Sequence, residues 1–150
     1  MFYCAKPRNF TDDFNDNMAA LNLPAPKYLF ESVTTAAASL VVITKLVETL
    51  GTTATVAEVI GAGLASEQIA VIGSALGAGY VGALIGSFIV AVSKDITCGV
   101  DLFDAIHIVK KAGIAPPWVY IHLAKHPELY DPAAPARATY GLKVKQNVRK

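Results

Sequence analysis

The sequence predicts an all-α fold of about six helices built around a central apolar helix rich in small residues. Three observations lead there. Hydrophobic residues make up 53% of the 150-residue chain and charged residues only 17%, below the quarter usual in globular proteins. Between Glu67 and Lys94 lie 26 residues without a formal charge. Helix caps recur along the chain, and no strand alternation or repeat of 20 to 50 residues competes with them.

The elements follow in order. Thr11 or Asp12 caps a first helix running to about Leu21. Pro26 starts a second across YLFESVTTAAASLVVITKLVETLG and Gly51 ends it. Its uncharged part, Ser32 to Thr44, has 13 residues, too short to span a bilayer alone. A longer span carries Lys45 and Glu48, which are three apart and then face a partner helix or water. Thr55 and Glu58 have capping-box spacing at the head of a short helix weakened by Gly61 and Gly63. Ser66 caps the long apolar helix, Asp101 caps one through Lys111 with Leu102, Ile106 and Val109 on one face, and a Pro-started helix spans Trp118 to Lys125. Beyond Asp131 the Pro/Ala-rich stretch reads as an extended arm.

The central segment contains GSALGAGYVGALIGSF, residues 73–88, five of them glycine. Each interior glycine costs a helix up to about 1 kcal/mol relative to alanine, so the spacing needs a reason. In steps of four, Ile72, Leu76, Tyr80, Leu84, Phe88 and Val92 form a bulky ridge. Ser74, Ala78, Gly82 and Gly86 form a small one, and Ala75, Gly79, Ala83, Ser87 and Ala91 an adjoining second. Gly73 and Gly77 extend this packing face. The helix is segregated by size rather than polarity, which suits close approach of another backbone. As a helix, the uncharged run is about 39 Å long, against about 30 Å for a bilayer core. A buried helix of a soluble bundle is also apolar all round, so lipid and protein both remain open as its surroundings.

The chain reads as a single domain, 1–150, with a polar N-terminal flank (1–27), an apolar helical hairpin (28–95), amphipathic helices (96–131) and a basic C-terminal arm (132–150). The hairpin connection carries Glu58 and Glu67 without Lys or Arg, while Lys27, Lys94, Lys110 and Lys111 lie outside it. Both ends therefore belong on one side of a membrane if the cell's own translocon inserts the chain. Lys45, Glu48, Glu58 and Glu67 are the candidate polar residues of a hairpin or pore.

Chemistry-bearing motifs are sparse. A net charge of +1 gives no general footprint for nucleic acid. His122 and His126 have helical i, i+4 spacing but lack a further ligand pattern, and Pro127 follows at once, so they read as surface histidines rather than a metal site. Cys4 and Cys98 form no disulfide framework, and Cys98 reads as a packed thiol. Gly77, Gly79 and Gly82 fit G-x-G-x-x-G without its strand–turn–helix setting. Trp118 and Tyr120 beside Pro116 and Pro117 suit a membrane interface or a bundle core. The N-terminus lacks the basic and apolar regions of a signal peptide. Neither a catalytic constellation nor a cofactor is expected.

An apolar, small-residue-rich helical stretch flanked by polar helices resembles the colicin pore-forming domains, where amphipathic helices shelter a hydrophobic hairpin. The ridges Ser74-Ala78-Gly82-Gly86 and Ala75-Gly79-Ala83-Ser87 resemble those of small glycine-zipper pore-forming effectors of bacterial type VI secretion. That resemblance covers mainly residues 30 to 95, and Lys45 and Glu48 depart from a simple hydrophobic hairpin. It implies a toxin that self-associates in a lipid bilayer at a target bacterium's inner membrane, export without a signal peptide by an Hcp-type carrier, and a cognate immunity protein. A non-toxic membrane, holin-like or scaffold protein, and a soluble helical binding module, are the alternatives.

Overall fold

A computed structural model of the chain describes residues 9–26, 30–51, 53–61, 72–93 and 100–147. Among them are seven α-helices: α1 (Phe10–Ala20), α2 (Val33–Leu50), α3 (Val56–Ile60), α4 (Gly77–Val92), α5 (Leu102–Lys111), α6 (Pro117–Lys125) and α7 (Arg137–Gln146). A 3-10 turn, Pro127–Leu129, follows α6, and the extended pairing among the described residues is an isolated antiparallel bridge, Thr55 with Leu76. The fold is all-α, as the sequence predicts. Cys4, Cys98, Ser66, Glu67, Lys27 and Lys94 lie outside the described residues.

Local signals set most helix ends. Asn9, rather than Thr11 or Asp12, caps α1 by accepting the Asp12 N–H at 2.8 Å. The Thr11 hydroxyl instead donates to the Glu31 carbonyl at 3.0 Å, joining α1 to the segment before α2. Helix α2 does not start from Pro26: Ser32 caps it through the Thr35 N–H, and Gly51 ends it at φ 91°, where a side chain is strained. Thr55 and Glu58 form the expected capping box. Asp101 accepts the Asp104 N–H at 2.8 Å, and Pro117 opens α6.

Two larger expectations also fail. The central helix does not run unbroken from Ser66: it starts at Gly77 and has 16 residues, about 24 Å. The cause is backbone competition. Gly77 N–H donates to the Ala54 carbonyl at 2.7 Å and Leu76 N–H to the Asn147 carbonyl at 2.8 Å, while the Gly73 and Ala75 carbonyls accept from Ala57 and Val56. These groups are therefore unavailable to an earlier helical turn. The extended arm is the second correction. Residues 137–146 are helical, with Tyr140, Gly141 and Val144 buried.

Helix α4 is the axis of the core. Every residue from Tyr80 to Val90 is buried, and α1, α2, α3, α5, α6, α7 and the 3-10 turn all contact it. Phe14 stacks between Phe10 and Phe30, with centroids 5.7 and 4.8 Å away, and Phe10 meets Phe88 edge-on at 6.0 Å. Helix α2 is one-sided: Ala36, Leu40, Ile43, Thr44 and Val47 are buried, whereas Val33, Val42 and Leu50 face solvent.

Candidate functional site: the small-residue face of the central helix

The small face of α4 is a seat for other parts of the same chain. A Cβ on Gly77 would stand 3.1 to 3.3 Å from Val59 and the Ala54 and Thr55 carbonyls, and one on Gly79 would stand 3.1 Å from Val144. Gly82 lies beneath the His122 ring and Gly86 beneath the Leu129 backbone, both too close for any Cβ. Gly73, Ala75, Ala83 and Ser87 are buried, Ala78 is half-buried and Ser74 is exposed at the turn before α4. The bulky residues Tyr80, Leu84 and Phe88 are also buried, so protein covers both sides of the helix.

Polar groups lock this packing. The Tyr140 hydroxyl donates to the Gly79 carbonyl at 2.5 Å. Its single proton is thereby used, so it accepts from His122 Nε2–H at 2.8 Å. The expectation of a surface histidine thus fails for His122, whose ring sits edge-on to Trp118 and Tyr140. About two helical turns along α4 from Gly79, Asn17 Nδ2 donates to Ser87 Oγ and to the Leu129 carbonyl, each at 3.0 Å. Arg137 donates to Asn17 Oδ1, and through Nε to the Glu128 carbonyl at 3.0 Å. No buried side-chain nitrogen or oxygen lacks a partner among the described residues.

Of the four candidate hairpin residues, Lys45, Glu48 and Glu58 are among the described residues. Lys45 and Glu48 are exposed on α2, and Glu58 is spent in the capping box at 2.9 and 3.0 Å from the Thr55 backbone nitrogen and hydroxyl. Among the described residues, no three His, Cys, Asp or Glu side chains gather as a metal site. Of the groups covering α4, the sequence marks His122, as a surface histidine, but not Asn17, Arg137 or Tyr140. The one legible signal for them is the helical spacing of Tyr140 and Val144 within RATYGLKVK.

Burial, then the neighbouring His126, pushes the His122 imidazole down to about 4, Glu128 opposing the shift and Lys125 adding to it. The folded state thus binds its proton more weakly than the unfolded chain does. His122's contribution to stability is fully present above the usual imidazole value and lost as pH falls from about 6.5 toward 4. The loss is at most about 3 kcal/mol. Urea midpoints at pH 7 and 4.5 should converge in His122→Gln relative to the parent; an equal acid loss in both contradicts the assignment.

No protein-family model, no curated protein and no solved structure matches this chain. The class that fold and site define is an all-α bundle wrapped around an uncharged, small-residue helix.

Proposed function

We propose that the chain is an antibacterial pore-forming toxin whose folded state shelters an apolar hairpin, residues 28–95, for release into a target cell's inner membrane. One observation carries this reading: enclosed α4 packs against α2, the one described helix long and apolar enough to cross a membrane. Such a pairing keeps a membrane-seeking hairpin in water at the cost of a polar coat.

Insertion requires a rearrangement. At about 24 Å, α4 falls short of the roughly 30 Å apolar core. Extending it through residues 72–76 requires release of the hydrogen bonds to residues 54–57 and Asn147. Departure of His122, Leu129 and Tyr140 then frees Gly82, Gly86 and their neighbours for self-association. Delivery by an Hcp-type carrier and protection of the producer by an immunity protein belong to the same proposal. A second reading has an observation in its favour. The small face is already filled by the chain's own side chains, as in the core of a soluble helical binding module.

Purified chain added to potassium-loaded vesicles of bacterial lipid should release the ion, and expression in a bacterium should collapse the potential seen by a voltage-sensitive dye. Stable residence in the membrane without either effect favours a non-toxic membrane protein. A soluble monomer that ignores vesicles favours the binding module.

A further inference from the structure

A groove of about 410 Å³ opens between α2, α4 and α5, within the range of small-molecule sites, about 300–1,000 Å³. Phe88 and Val92 of α4 line it with Ala37 of α2 and Ile108 and Ala112 of α5. Among the described residues, the ionisable side chains lining it are His107 and Lys111, both exposed. Asp104, one turn earlier, does not line it, and Lys110 lies over the Tyr120 ring, 5.5 Å from its centroid. On the same face of α5, one turn before His107, Phe103 stands 81% exposed. An exposed aromatic side chain on the helix that carries Lys111 is the pattern of an interfacial anchor.

We propose that this groove receives one acyl chain of an anionic phospholipid, whose phosphate meets Lys111 and His107 while Phe103 enters the interface. An apolar slot with basic groups and, among the described residues, no lining carboxylate complements an amphiphile that is anionic at its head and apolar along its tail. The proposal rests on the membrane reading and deepens it. The tail lies against Phe88 and Val92, so lipid engages the end of the helix that must leave the core.

The test is a methyl NMR titration with dihexanoyl-phosphatidylglycerol below its micelle-forming concentration. Saturable shifts should concentrate on Val33, Ala37, Val92, Ile108 and Ala112. Lys111→Gln, at an exposed position, should weaken binding about fivefold, the equivalent of one cation at an anionic surface. Ala112→Trp should fill the groove and abolish the shifts. The phosphatidylcholine of equal chain length should bind several-fold more weakly. Scattered or non-saturating shifts, equal affinity for the two lipids, or tighter binding of a free fatty acid would each overturn the assignment. Because no bilayer is present, the outcome is separable from vesicle release. Release without groove binding overturns the groove alone, and groove binding without release overturns the pore reading alone.

Discussion

Gly86→Ala should melt well below the parent protein. A Cβ there runs into the carbonyl oxygen and Cβ of Leu129, a backbone position in the 3-10 turn that cannot rotate away. Overpacking of this kind costs about 1–3 kcal/mol or more, and a chain of this size loses roughly 2–4 °C per kcal/mol. The expected fall is roughly 2–12 °C, read by a thermal scan followed at 222 nm. Gly141→Ala should behave alike, because its Cβ meets the Leu21 and Asn22 carbonyls. In lipid the outcome differs. Alanine still satisfies a small-xxx-small contact, so vesicle release by Gly86→Ala should persist while the folded state weakens. An unchanged melting temperature contradicts the placement of Leu129 over Gly86.

Asn17→Leu should be at least as damaging. Asn17 is 4% exposed and joins α1 to Ser87, to the Leu129 carbonyl and to the Arg137 guanidinium. Leucine retains the volume and removes every one of those bonds. The Leu129 carbonyl and part of a half-buried guanidinium then lose partners, a change worth about 2–4 kcal/mol. The urea midpoint should fall with little change in slope. A midpoint within error of the parent removes the network from the account of stability.

The legible parts of this fold are those set by neighbours in sequence. The Thr55–Glu58 capping box, the Asp101 cap and the Pro-started α6 depend on residues within one turn, and all three are present. The start of α4 is not local. Gly77 and Leu76 give their N–H groups to Ala54 and Asn147, and no window of sequence contains that competition. The C-terminal segment misleads for a related reason. Its prolines and cations read as an arm, yet Tyr140, Gly141 and Val144 gain a helix by packing on the core. The candidate site divides in the same way. A period of four small residues announces a close-packing face, but periodicity cannot specify whether His122 and Leu129, a second copy or lipid covers it.

Under the proposed function, shelter and release make opposite demands on α4. In water its small face is filled by α6, α7 and the 3-10 turn; in a bilayer those elements must leave while α4 stays helical. Hydrogen–deuterium exchange resolved by segment, with and without excess vesicles of bacterial lipid, measures both halves at once. Residues 77–92 should keep or gain protection when vesicles are added, while α1, α6 and α7 lose theirs. An exchange pattern unchanged by vesicles in every segment would contradict the proposed function, leaving α4 as the permanent core of a helical bundle.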